Sequence, residues 1–272
     1  MHRKQLTHIV EKRFDALFAN WNGMHALNPE AIHDWRVDYK KLRAVTRLAG
    51  REEGKIKMPL SLKDTYTIAG EIRDRQMQSE RMLQWFGSEQ LFPPAYTELI
   101  QQEISGFADQ LHPLTENDAV LQISRHKLTS SLPSRISKKN IESFIQQQLN
   151  EVRNILWLTY KKDDYLHSCR KHLKDAQYII DAIGIAHIHA DRIQGLPSPE
   201  QLQLAAQELG NFNDQCVTMF FLSSSYLNRL PGEEKVILSP LKTKFQKEKT
   251  KARNKLIGSL ELLFSEFIRL EK

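Results

Sequence analysis

Residues 28–43 read Asn28-Pro29-Glu30-Ala31-Ile32-His33-Asp34-Trp35-Arg36-Val37-Asp38-Tyr39-Lys40-Lys41-Leu42-Arg43. A cap residue followed by proline marks a helix start, because the first helical position needs no N–H and proline already has the right φ. The pattern predicts a helix that runs to about Ala49 and is ended by Gly50. At about 100° per residue, positions 33, 36, 40, 43 and 47 fall within roughly 80° of arc. One helix therefore presents His33, Arg36, Lys40, Arg43 and Arg47 as a single basic ridge. Like charges three and four residues apart repel and weaken an isolated helix, so the ridge is expected to recover that energy from a bound polyanion.

The same motif returns 134 residues later, close to half the length of the 272-residue chain. His167-Ser168-Cys169-Arg170-Lys171-His172-Leu173-Lys174-Asp175-Ala176-Gln177 repeats the His-x-x-Arg-x-x-x-Lys spacing, with His167, Arg170 and Lys174 on one ridge and Lys171 at its margin. Each motif is followed by a segment with Gly-x-x-x-Asp: Ala69-Gly70-Glu71-Ile72-Arg73-Asp74 after the first, Leu209-Gly210-Asn211-Phe212-Asn213-Asp214 after the second. The repeat implies an internal duplication. Asp74 and Asp214 read as partners of a buried arginine or as helix caps rather than as catalytic acids. Gln177 stands where the first copy has Arg43, and Asn213 stands opposite Arg73, so the second ridge carries less charge.

A third basic run occupies 242–255, with seven Lys or Arg against Glu248 alone; Lys244, Lys247, Lys251 and Lys255 share one helical face. This run carries a net +6, which equals the formal charge of the whole chain. The remainder is neutral overall, and the two ridges are local positive islands within it.

Elsewhere, apolar residues recur at helical spacing. Helices are expected over about 3–20, 60–86, 95–111, 116–130, 138–160, 162–185, 199–225 and 238–270. Strand-length alternation and Asn-Gly or Asp-Gly hairpin turns are lacking. The Ser130-Ser131-Leu132-Pro133-Ser134 stretch reads as a linker. The chain is therefore read as all-α, one domain over 1–272 with halves of about 1–133 and 134–272. Gly and Pro together make up about 8% of the residues, below the roughly 12% average, which suits a helical protein with few turns.

Several classes are excluded. Apolar and charged fractions of 40% and 26% argue against wholesale disorder. No segment approaches the roughly 20 apolar residues of a membrane span, and the first residues lack the apolar run of a secretory signal, so a cytoplasmic protein is expected. Cys169 and Cys216 are too few for a disulfide scaffold or a cysteine zinc site and are read as small buried residues. His187-Ile188-His189-Ala190-Asp191 has the look of metal-ligand spacing, but residues two apart on a helix diverge by about 200°. No His-Glu-x-x-His, P-loop or Gly-x-Ser-x-Gly motif is present. No catalytic residue, metal or cofactor is assigned, and the chain is not read as an enzyme.

The paired motifs resemble the CHAD family, the conserved histidine α-helical domain, over essentially the whole chain. The resemblance implies two helical bundles related by a pseudo-twofold axis, with the basic helices lining a central cavity that binds inorganic polyphosphate. The family's anion-binding face falls here on His33, Arg36, Lys40, Arg43, His167, Arg170 and Lys174; Arg47, Arg73, Lys171, Lys244, Lys247, Lys251 and Lys255 extend it. The Glu-x-Glu-x-Lys signature of the family's frequent triphosphatase companion is missing, so the chain looks like a stand-alone module. Non-catalytic polyphosphate binding in a cleft between the halves is the expected function, with attraction to polyphosphate granules as a corollary. The alternative is a helical nucleic-acid-binding protein using the same faces, with nucleic acid as the weaker polyanion.

Overall fold

A computed structural model describes residues 1–54, 56–87, 93–185 and 188–265. Among the described residues the chain is helical, with no strand. The elements are α1 (Arg3–Ala19), α2 (Trp21–His25), α3 (Pro29–Glu53), α4 (Leu60–Phe86), α5 (Pro94–Thr115), α6 (Ala119–Ser130), α7 (Lys138–Leu156), α8 (Asp163–Ile183), α9 (Pro199–Phe221), α10 (Ser224–Leu227) and α11 (Gly232–Leu263), with a 3-10 turn at Ala190–Arg192.

The expected helices form, and several ends move. Asn28 caps α3 as anticipated, its side chain accepting from the Ala31 amide. Gly50 does not end the helix. A Cβ there would lie 3.0 Å from the Ile56 carbonyl oxygen, so this glycine admits the returning chain. The helix stops at Gly54, which takes the left-handed conformation with φ 68° that glycine adopts without strain. Helix α7 ends at Leu156, four residues short of the expected 160. Helix α9 stops at Phe221 rather than 225, and a separate turn, α10, is capped by the Ser223 hydroxyl. Helix α11 starts six residues earlier than the expected 238 and carries Pro240 in its interior; the end expected near 270 lies outside the described residues.

The chain divides into two compact units, and neither is a continuous segment. One holds 2–134 with 221–242; the other holds Met1, 135–220 and 243–272. The border thus crosses the expected linker, but 221–242 return to the first unit, so the halves are not simply 1–133 and 134–272.

In the first unit α1 packs on α3 and α6, α2 on α3, and α4 on α3 and α5. The core runs through Leu6, Phe14, Leu17, Met24, Ile32, Trp35, Leu42, Leu62, Ile72, Tyr96 and Ile100, all fully or almost fully buried. In the second unit α7 packs on α8, burying Ile145, Leu149, Leu166, Leu173 and Ile179. Cys169 is buried there as expected, whereas Cys216 is only partly covered.

A polar network fastens 221–242 to the first unit. The Glu103 carboxylate accepts from Arg75 Nε at 2.8 Å, from the Tyr226 hydroxyl at 3.1 Å and from Arg229. Arg75 also meets Glu71 at 2.7 Å. Glu234 accepts the Ala95 and Tyr96 amides at 2.7 and 2.8 Å, so a carboxylate sits at the positive N-terminus of α5. The Tyr96 hydroxyl donates to the Phe221 carbonyl. Burial raises the Glu103 pKa, but the hydrogen bond from Arg229, the Arg75 charge and the further bonds from Arg75 and Tyr226 outweigh it and hold the carboxyl below its ordinary range. A lowered carboxyl pKa stabilises the fold above the unfolded-state value, and the contribution fades as pH falls through the folded-state value. Glu103→Gln should therefore lose about 3 kcal/mol in urea unfolding at pH 7, because the nearly buried Arg75 loses a charged partner. The gap to wild type should narrow below about pH 4.5.

Candidate functional site

In the first unit the α3 ridge lies beside α4. Arg36 donates from Nη1 to the Tyr66 carbonyl at 2.6 Å, and its guanidinium carbon stands 4.4 Å from the centre of the Tyr66 ring. Arg43 approaches the same ring at 5.8 Å. The guanidinium of Arg36 also covers Gly70, where any Cβ would collide with it. Helix interiors disfavour glycine by about 1 kcal/mol relative to alanine; here its missing side chain is the seat of the arginine. Neither Arg36 nor Arg43 is paired with a carboxylate among the described residues. Asp38 accepts instead from Arg13 and Lys41, which lie off the ridge.

Lys40 is half-buried and Arg47 exposed on the same face. Arg73 comes from α4, one of its nitrogens 3.5 Å from Glu80 and its Nε without a hydrogen-bond partner. His33 keeps an exposed edge, yet its pKa is lowered by partial burial first and then by the charges of Arg73, Lys40 and Arg36. The first ridge and Arg73 therefore form one electrostatic group.

The second unit repeats the arrangement more loosely. Arg170 lies against Gly210, where a Cβ would meet its Nε at 3.5 Å, ordinary contact rather than collision. That Nε is buried without a hydrogen-bond partner. His167 Nδ1 is 2.6 Å from Asn213 Oδ1. The pKa of His167 is lowered by burial and by Lys171 and Arg170, against the pull of the Asn213 bond. Lys171 is exposed, and Lys174 bonds Gln177 Oε1 at 3.0 Å. In both units, then, the motif's arginine sits on the downstream glycine, and its histidine faces the residue three beyond that glycine: Arg73 in one, Asn213 in the other.

The late basic run separates into two faces. Lys249 and Arg253 pair with Asp163 at the start of α8. Lys244, Lys247, Lys251 and Lys255 are exposed and make no ion pair among the described residues.

Sequence reasoning missed Tyr66 and the aromatic column behind it. Tyr66 stacks on Tyr39 at 4.4 Å, Tyr39 on Trp35 at 5.7 Å, and Trp35 leans on Trp21 at 6.0 Å. A glycine in mid-helix opposite a basic helix was the available signal for the seat; nothing local marked the ring.

Desolvation pushes the Cys169 and Cys216 thiols up to about 12 and about 11, so neither is a thiolate near neutrality. Among the described residues no group of three His, Cys, Asp or Glu side chains could hold a metal. His187 lies outside the described residues. No described helix is long and apolar enough to cross a membrane.

Comparison with curated protein sequences returned no match. Among solved structures the chain is similar to the crystal structure of the CHAD domain from the plant Ricinus communis, with a TM-score of 0.70 and 14% identity over 96% of this chain and 92% of that one. At that identity the likeness speaks for the fold alone, and the fold is all-α. The sequence itself matches the CHAD domain over residues 8–223, which takes in both ridges and both glycines. The chain belongs to the CHAD domain family.

Proposed function

We propose that this chain binds inorganic polyphosphate without transforming it, through the α3 ridge (His33, Arg36, Lys40, Arg43, Arg47, with Arg73) and the α8 ridge (His167, Arg170, Lys171, Lys174). The observation that carries the reading is the seating of Arg36 and Arg170 on glycines, away from carboxylates, in both units. A cation neutralised by a carboxylate gives little to a phosphate. A guanidinium held by a carbonyl, a ring or a bare backbone keeps its charge and its fork of donors. For a polymer long enough to reach both ridges, linking the two contacts in one ligand would raise affinity through effective concentration. The exposed Lys244, Lys247, Lys251 and Lys255 form a third contact for a long polymer. A binder of this kind would be drawn to polyphosphate granules.

Three outcomes test the reading. Arg36→Ala with Arg170→Ala should weaken polyphosphate binding about 100-fold in calorimetry at moderate salt. The slope of log K against log salt should flatten by about 2, with helicity by circular dichroism unchanged. The exposed pair Lys4→Ala with Lys127→Ala should change affinity less than about threefold. Equal losses from the two pairs would mean diffuse charge, and stronger binding of duplex DNA or RNA at equal phosphate would favour a nucleic-acid partner.

The ridge histidines give the binding a pH dependence. Both pKa values are lowered in the free protein. Between the folded and unfolded values the unfolded chain binds more protons, so folding stability falls as pH drops through about 6.5. A bound polyanion offsets the cations that depress the rings and favours their protonation. Affinity should therefore rise as pH falls from about 7.5 to 6, with enthalpies that depend on the buffer's ionisation heat. His33→Gln with His167→Gln should flatten this profile.

The two glycines should respond differently to alanine. Gly210→Ala fits its surroundings and should stabilise α9 by about 0.5–1 kcal/mol with little effect on binding. Gly70→Ala displaces the mobile end of Arg36, so thermal stability should hold while polyphosphate affinity drops about tenfold.

A further inference from the structure

We infer that Tyr66 is a positioning residue that serves Arg36 and Arg43 as a neutral counter-surface and makes the α3 ridge the stronger of the two anion-binding helices. The inference rests on the polyphosphate reading. Two guanidiniums two turns apart on one ridge, with Lys40 between them, repel each other, and a protein ordinarily settles such a pair with a carboxylate. A carboxylate would also cancel the charge that an anion needs and would compete with it for the same donors. The face of a phenol ring attracts cations by about 0.5–2 kcal/mol while carrying no net charge.

The geometry fits that role on three sides. The Tyr66 carbonyl fixes Arg36 Nη1 at 2.6 Å, the ring lies 4.4 Å from its guanidinium carbon, and Gly70, one turn on, leaves the space that the guanidinium occupies. Arg43 reaches the same ring at 5.8 Å. The ring cannot swing away freely, because it is stacked at 19° on Tyr39, itself nearly parallel to the buried Trp35. Holding both arginines beforehand lowers the ordering cost when a phosphate arrives.

The other unit supplies the contrast. Four residues before Gly210, where Tyr66 would correspond, stands the buried Ala206, and Gln177 stands where Arg43 would. Ring and second arginine are absent together at these positions. The ring is thus placed where two guanidiniums must be held and not where one must.

The test is polyphosphate titration calorimetry on Tyr66→Phe and Tyr66→Leu, alone and in an Arg36→Ala, Arg43→Ala background, with melting temperatures measured alongside. Tyr66→Phe keeps the ring and should bind within about twofold of wild type. Tyr66→Leu should bind about tenfold more weakly. In the arginine-free background the same leucine change should cost less than twofold, because there is nothing left to position. A leucine variant that binds like wild type overturns the role. So does a phenylalanine variant as weak as the leucine one, or a leucine loss that persists without the arginines, since either would mark a packing effect. Wild-type protein that bound no polyphosphate would remove the binding reading and this role with it; normal wild-type binding with an indifferent leucine variant would remove the role alone.

Discussion

Repulsion among cations aligned on one helix face is the constraint around which the first unit is arranged. Helix α3 places four basic side chains and a histidine within one arc, and its Arg36 and Arg43 have to be compensated. The surroundings do so without opposite charge: a backbone carbonyl, an aromatic ring and an exposed stretch of helix backbone at a glycine take the arginines, while Asp38 is spent on Arg13 and Lys41 off the ridge. Elsewhere the same chain uses carboxylates freely. Arg75 meets both Glu71 and Glu103, and Arg253 meets Asp163. The difference divides cations that hold the fold from cations kept available.

The contrast recurs along α11. Lys249 and Arg253 turn inward to Asp163, and the residues between and around them carry Lys244, Lys247, Lys251 and Lys255 into solvent. One run of sequence thus serves as a structural clamp and as a charged surface, separated by helical phase alone. The +6 of the run overstates what the run itself offers a partner, because Lys249 and Arg253 are already committed to Asp163.

Much of this was legible in the residues. Helical periodicity and scarce glycine and proline imply an all-α chain, the Asn28-Pro29 start of α3 is where the cap rule puts it, and the duplicated spacing marks the ridges before any coordinates. What escaped depends on contacts distant in sequence. Gly50 looked like a helix end because glycine is favoured just past a helix C-terminus; its real reason is the close return of Ile56, and the true stop needed the left-handed Gly54. Helix α11 was expected from about 238, but it already starts at Gly232, and Glu234 in its first turn bonds the first amides of α5. Tyr66 is one tyrosine among seven until α3 and α4 are laid together.

The excursion of 221–242 back into the first unit bears on how the polypeptide matures. Glu103 and Arg75 are synthesised early, but Tyr226, Arg229 and Glu234, which complete their surroundings, emerge more than a hundred residues later. At translation rates of about 5–20 residues per second, the α4–α5 pair waits for several seconds with a partly covered Arg75 and an α5 start without its anion. Closing contacts over such a span carries an entropic cost that local helix pairs do not. The first unit is therefore first in sequence and not first to be finished: its core closes only after most of the second unit's chain has left the ribosome.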